Sequence, residues 1–266
     1  MFWRLALVLG VLTGGAWFSL QAIERAIVYP FDATRVAPTA AGVPRMQEVK
    51  RAGLVTWQAT AAPGKPTIFY LHGNAGNLAN RAGRFSRFMA RGYGVVAPAY
   101  PGSSGSDGPP SQEAITQAIT GIWRELPRDA HVVIYGESLG TGVAMQLLGR
   151  GVTHPDKGLA PAGVILEAPF TSVRDVARHL YPGIDPLLAH LTQEWDSMTR
   201  AATLTMPLLV VHGQNDRMIP PEQGRALFEA ATGTDKRFLE VPDAGHTDLW
   251  RNDTLPEVWA FIDRVK

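Results

Sequence analysis

The chain has no cysteine. That excludes disulfides, thiolate catalysis and cysteine-ligated metals. Net charge is also nearly absent: 25 Lys and Arg stand against 24 Asp and Glu. A balance of +1 gives no electrostatic footing for nucleic acid, so none is expected as a partner. No CxxC, HExxH, P-loop or GxGxxG pattern stands in a credible structural context, and neither a cofactor nor a metal is expected. The run Gly102-Ser103-Ser104-Gly105-Ser106-Asp107-Gly108 lacks the Lys-Ser/Thr ending of a phosphate loop. It reads as the loop after a strand.

What is present is concentrated in one pentapeptide. Gly136-Glu137-Ser138-Leu139-Gly140 follows the apolar, β-prone run His131-Val132-Val133-Ile134-Tyr135. It precedes the helix-like stretch Thr141-Gly142-Val143-Ala144-Met145-Gln146-Leu147-Leu148. G-x-S-x-G between strand and helix is a nucleophile elbow. The turn is so tight that neighbours of the serine must be small, and Gly136 and Gly140 supply that room. The strain holds the Ser138 hydroxyl up at the sheet edge, beside a helix N-terminus.

A serine hydroxyl is a weak nucleophile and needs a base, and the base needs an orienting acid. Asp216 ends the strand-and-turn run Pro207-Leu208-Leu209-Val210-Val211-His212-Gly213-Gln214-Asn215-Asp216. His246 follows the strand-like residues 237–241 through Pro242-Asp243-Ala244-Gly245. The chain order Ser138, Asp216, His246 is one of the known orders of such triads. Asp243 and Asp248 flank His246 and are rival acids. Asp216 is preferred because it lies at a strand end, where sites in parallel sheets gather. His131, His154, His179 and His190 have no comparable context.

The oxyanion needs two backbone donors. One is expected from the N–H of Leu139, just after the nucleophile. The other is expected from the loop His72-Gly73-Asn74-Ala75-Gly76-Asn77, most naturally the N–H of Asn74. His72 is expected to order this loop rather than to react. Read alone, the segment is equally a plain Gly/Asn turn.

Residues 45–266 resemble the α/β-hydrolase superfamily. Within it, Leu71-His72-Gly73-Asn74-Ala75-Gly76-Asn77, Glu167-Ala168-Pro169-Phe170-Thr171-Ser172-Val173, Trp195-Asp196-Ser197 and Gly213-Gln214-Asn215-Asp216-Arg217-Met218-Ile219-Pro220 are similar to a narrower group. That group is the membrane-tethered serine hydrolases related to fission-yeast Bem-type proteins and to mammalian protein depalmitoylases. The resemblance implies an α/β-hydrolase fold, with Ser138, Asp216 and His246 as the triad. The acylated, cysteine-rich N-terminus of the depalmitoylases has no counterpart here.

Residues 5–23 form an almost uncharged apolar stretch. At 1.5 Å per residue it spans roughly a 30 Å hydrocarbon core. A signal peptide would have an apolar region of about 7–15 residues ending in small residues, and no A-x-A site precedes Glu24. A single membrane helix within a 1–28 anchor is therefore expected, dispensable for hydrolysis. Arg4 and the α-amino group put the N-terminus in the cytoplasm and the catalytic domain across the membrane. Residues 24–44, with Pro30, Pro38 and Pro44, read as an irregular connector.

Edge strands are expected within 45–59. Strands are then expected near 67–71, 94–99, 131–135, 163–167, 207–212 and 237–241. Helices alternate with them near 78–91, 111–126, 139–150, 221–231 and 254–265. Such alternation means a mostly parallel sheet covered on both faces. A chain of 266 residues, 45% hydrophobic, fits one such domain at 29–266. Residues 170–200 are long for a connection and carry many apolar side chains. They read either as a helix on the core or as a small lid lining an acyl pocket. A lid of about thirty residues points to short or medium acyl chains. The expected activity is serine-dependent hydrolysis of a carboxylic ester, thioester or lipid. A peptidase of the same fold usually carries a large gating domain, for which there is no room. A catalytically silent scaffold would have no need of the triad order. A dehalogenase needs Asp where Ser138 stands.

Overall fold

The β-branched and aromatic runs become eight strands of one sheet. The computed structural model describes residues 19–152 and 160–265. Its strands are β1 (Gln47–Arg51), β2 (Leu54–Ala59), β3 (Thr67–Leu71), β4 (Gly94–Pro98), β5 (Val132–Glu137), β6 (Gly163–Glu167), β7 (Leu208–Gly213) and β8 (Lys236–Val241). Their spatial order is β1-β2-β4-β3-β5-β6-β7-β8. The first two pairings, β1 with β2 and β2 with β4, are antiparallel. All later pairings are parallel. Pro98 closes β4, at a position where its missing N–H costs no interior ladder bond.

Side chains alternate across the sheet with period two and build a core on each face. Phe69, Leu71, Ile134, Leu166 and Val210 pack on one side. Ile68, Tyr70, Val133, Tyr135, Ile165 and Val211 pack on the other. The first face is covered by α3 (Gln112–Arg124) and α4 (Leu139–Leu147), through Ile115, Ile119, Val143 and Leu147. The second is covered by α2 (Ala82–Ala90) and α8 (Leu255–Arg264), through Phe85, Phe88, Val258 and Ile262. Every residue of α4 is buried. A helix that is apolar all round belongs inside. The chain runs from β3 to β4 on one side, then crosses back to β5 on the other side of β3. The loops after β3 and β5 therefore leave in opposite directions and open a crevice between them, which is where such sheets bind ligands.

The long connection after β6 holds α5 (Val173–Leu180), α6 (Asp185–Leu188) and a 3₁₀ turn at Met198–Thr203. Leu188 and Trp195 are core residues, while Val173, Val176, Ala177 and Leu180 line a cavity. Ser172 starts α5 by accepting the N–H of Asp175 at 3.0 Å. Helix α7 (Pro221–Ala230) lies between β7 and β8 in sequence.

The expected connector at 24–44 differs. Residues 19–28 are helical and are labelled α1. Helix persists to Val28 because its side chains have partners. The Glu24 carboxylate accepts the N–H groups of Thr192 and Gln193 at 2.8 and 2.6 Å and the Thr192 hydroxyl at 2.7 Å. Tyr29, buried just after α1, donates to Gln193 Oε1 at 2.7 Å and accepts from Trp195 Nε1 at 2.9 Å. Most of the apolar run 5–23, and His154, lie outside the described residues. Among the described residues no helix is long and apolar enough to cross a membrane.

Candidate active site

Ser138 sits between β5 and α4 with φ 50° and ψ −114°. A non-glycine residue in that region stores strain of about 1–3 kcal/mol and persists only where its surroundings impose it. Here Ser138 N donates to Glu167 O at 2.9 Å, and its carbonyl accepts Thr141 N at 2.8 Å. A Cβ added at Gly140 would lie 1.9 Å from Leu71 O. No side chain fits there, so α4 can start flush against β3 only with glycine.

The hydroxyl meets an imidazole that a carboxylate holds. Ser138 Oγ lies 2.9 Å from His246 Nε2, and His246 Nδ1 lies 2.7 Å from Asp216 Oδ2. With Asp216 ionised, Nδ1 carries the proton and Nε2 accepts from the serine hydroxyl. Asp216 is buried. Its Oδ1 accepts the N–H groups of Met218 and Ile219, both at 2.9 Å. Burial alone would raise its pKa. The His212 ring beside it, the hydrogen bond from His246 and the Ile219 amide outweigh burial and hold the carboxyl well below the usual carboxylate range. Gly213 makes the meeting of the acid and base loops possible, since a Cβ there would lie 2.3 Å from Gly245 O. The rival acids lie apart. Asp243 is exposed, and Asp248 accepts Gly245 N–H at 2.7 Å.

Leu139 provides the first amide of α4, one of those a helix leaves without an intrahelical partner. Leu139 and Asn74 line one cavity together with Ser138. The loop carrying Asn74 is tied down on two sides. Asn74 Nδ2 donates to Val28 O at 3.4 Å, and Asp32 N donates to Gly76 O at 3.1 Å. From beneath, Arg81 Nη1 donates to the carbonyls of Ala75 and Asn77, while its Nη2 and Nε donate to Glu137 at 2.9 and 3.2 Å. Glu137 precedes the nucleophile. One buried ion pair thus joins the loop after β3 to the elbow after β5. Arg84 and Arg81 overcome burial and hold the Glu137 carboxyl below its ordinary range. A second pair repeats the pattern one strand over, with Arg84 donating to Glu167 at 2.6 and 2.9 Å.

Of the other histidines, His72 is buried, stacked 4.0 Å from Tyr100, with Nδ1 2.7 Å from Gly73 O and Nε2 accepting Tyr100 N–H at 3.3 Å. His179 is exposed and meets Arg217 O. His212 Nε2 donates to Ile219 O at 2.9 Å and lies 3.5 Å from Asp216 Oδ2, so it helps to hold the acid loop. Sequence reading did not single out His212, Arg81 or Glu137. The available signals were a histidine four residues before the acid and a carboxylate inside the elbow.

Burial, then the Arg81 charge, lowers the His72 pKa to about 3. Between pH 6.5 and 3 the unfolded chain therefore binds a proton there that the folded chain does not. Stability should rise with pH across that window, by up to about 1.4 kcal/mol per unit from this one site. Glu137 adds loss of the same sign in more acidic solution. Urea unfolding of wild type and His72→Asn between pH 7 and 4 checks this. The variant is expected to show the shallower decline, and parallel curves would contradict it.

The chain is similar to known proteins over most of its length. An uncharacterised protein of Mycobacterium tuberculosis is 30% identical over 91% of this chain and 86% of its own length. A lysophosphatidylserine lipase of Danio rerio is 31% identical over 73% of this chain. The chain spans just over half, 56%, of that relative. The Bem46 protein of Schizosaccharomyces pombe is 28% identical over 76% of this chain and 69% of its own length. This chain is an α/β-hydrolase of the Bem-type serine hydrolases. A family model described as serine aminopeptidase, S33 matches residues 187–253 of the hydrolase. A solved membrane phospholipase A, described as a bacterial virulence factor, superposes with a TM-score of 0.64 at 17% identity, over 99% of this chain and 98% of that one. A monoacylglycerol lipase of Paleococcus ferrophilus gives 0.58 at 18% identity, over 80% and 98%.

Proposed function

We propose that the hydrolase cleaves carboxylic esters or thioesters through an acyl-enzyme on Ser138. The observation that carries the reading is the unbroken relay from Ser138 Oγ through His246 to Asp216, at 2.9 and 2.7 Å. Ser138 Oγ attacks the carbonyl carbon as its proton passes to His246 Nε2. The carbonyl oxygen, now an anion, takes hydrogen bonds from the N–H groups of Leu139 and Asn74. When it re-forms the carbonyl, the alcohol or thiol leaves with the proton from Nε2. Water then attacks the acyl-serine, gives its proton to Nε2, and releases the carboxylic acid with Ser138 restored. Asp216 stays ionised throughout and stabilises the imidazolium. The test sets p-nitrophenyl esters against aminoacyl anilides. Ester turnover with no anilide turnover is expected. The reverse preference would favour a peptidase.

Lipophilic substrates are favoured by the lining of the site. The cavity over Ser138 measures about 260 Å³, and Phe170, Val173, Val176, Leu180 and Met218 are among its walls. We assign residues 170–200 the role of a lid over this cavity, and the part of the apolar run 5–23 that precedes α1 that of a membrane anchor. Cutting at residue 28 removes Ile27 and Val28 from the cavity wall and Glu24 from its contacts with Thr192 and Gln193. The anchor is therefore expected to be separable only before α1. A chain lacking residues 1–18 should keep its rate on short esters and leave the membrane fraction. A chain lacking 1–28 should lose at least about tenfold in kcat/KM, the scale of one lost charge-assisted hydrogen bond. Equal activity of the two truncations would contradict this.

A further inference from the structure

Two apolar cavities lie side by side along α1. The first opens on Ser138. The second measures about 180 Å³ and includes no residue of the proposed triad or of its oxyanion donors. They share Ile27 and Val28 of α1, Val173 and Ala177 of α5, and Tyr181. Leu20, Ile23, Glu24, Ile27 and Val28 recur at i, i+3, i+4, i+7 and i+8, one face of a helix. Val173, Val176, Ala177, Leu180 and Tyr181 repeat the same spacing from α5 onward. Residues of both stripes line both cavities. Glu24 does not make the second cavity polar, because both its carboxylate oxygens are engaged by Thr192 and Gln193.

We propose that the second cavity is a distal acyl subsite, which makes long-chain fatty acyl esters the substrate class. The inference rests on the acyl-enzyme at Ser138. The carbonyl lies at Ser138 and the proximal carbons fill the first cavity. The chain then passes Ile27, Val173 and Ala177, which line both cavities, and ends among Leu20, Ile23 and Leu191. From Val28 to Leu20 the helix axis runs about 12 Å. At about 1.5 Å per C–C bond, that distance takes at least about eight bonds. The short-to-medium preference expected from the sequence allowed only for the 170–200 segment. Helix α1 supplies the opposite wall and the additional length.

The experiment uses the full chain in detergent mixed micelles, with p-nitrophenyl esters from butyrate to palmitate at a fixed mole fraction. Each methylene that enters an apolar site is worth about fourfold in kcat/KM. Wild-type kcat/KM is expected to keep rising beyond octanoate. Ile23→Trp and Leu191→Trp alter walls of the second cavity alone. Each is expected to lower palmitate turnover at least about tenfold and butyrate turnover less than about twofold. Ile23 is 57% exposed, so a larger side chain there is compatible with folding. Leu187→Trp, at a position 58% exposed, replaces Leu191→Trp should that variant not fold. A wild-type profile flat beyond octanoate overturns the proposal, as do variants that keep the wild-type ratio of palmitate to butyrate turnover. Absence of hydrolysis of every ester in the series by wild type would instead defeat the acyl-enzyme reading itself.

Discussion

Ser138→Ala is expected to lose ester hydrolysis by roughly 10⁶ in kcat, the scale seen when a serine-hydrolase nucleophile is removed. The fold should survive the change. Alanine carries the same Cβ at φ 50°, and the elbow is held by backbone contacts to Glu167 and Thr141 rather than by the hydroxyl. The residual rate would come from the oxyanion donors and from binding. Paired measurements of kcat and of the melting temperature separate chemistry from structure. A near-normal rate in Ser138→Ala would end the mechanism. Lost activity with a collapsed melting transition would show instead that the hydroxyl is structural.

His246→Ala is expected to match that loss closely, because the base and the nucleophile act as one unit. Asp216→Asn should cost less, on the order of 10⁴ in kcat. The asparagine oxygen can still accept the amides of Met218 and Ile219, so the loop should keep its shape. Its NH₂ would then face His246 Nδ1, favouring the tautomer with the proton on Nε2, which cannot accept from Ser138. Asp243→Asn and Asp248→Asn serve as controls, and both should stay within a few-fold of wild type. A crippled Asp248→Asn beside an active Asp216→Asn would reassign the acid.

The parts of this molecule that are legible in its sequence are those set by local rules. The parallel sheet is legible because each strand is a short β-branched run between helical stretches. The elbow is legible because close approach at Gly140 allows only glycine. Asp216 is legible because it stands in the turn directly after a buried strand. The support beneath the site is not. Arg81 and Glu137 are 56 residues apart, and only the pairing of β3 with β5 brings them together. Helix α1 is hidden for another reason. Its face of Leu20, Ile23, Ile27 and Val28 runs out of an apolar stretch and into Pro30, so the period of a packed helix merges with the composition of an anchor and a connector. Glu24 reads as the end of the apolar run. Only the structure shows that it binds the backbone at 192 and 193.

The central claim is a covalent acyl group on Ser138. Full-length protein mixed with excess p-nitrophenyl ester and quenched within the first turnover should release a burst of p-nitrophenol close to one equivalent. Mass spectrometry of the digest should then find the acyl mass on the peptide containing Ser138, and no such mass from Ser138→Ala. Steady release without a burst, and an unmodified Ser138 peptide when deacylation is slowed at low pH, would contradict the account.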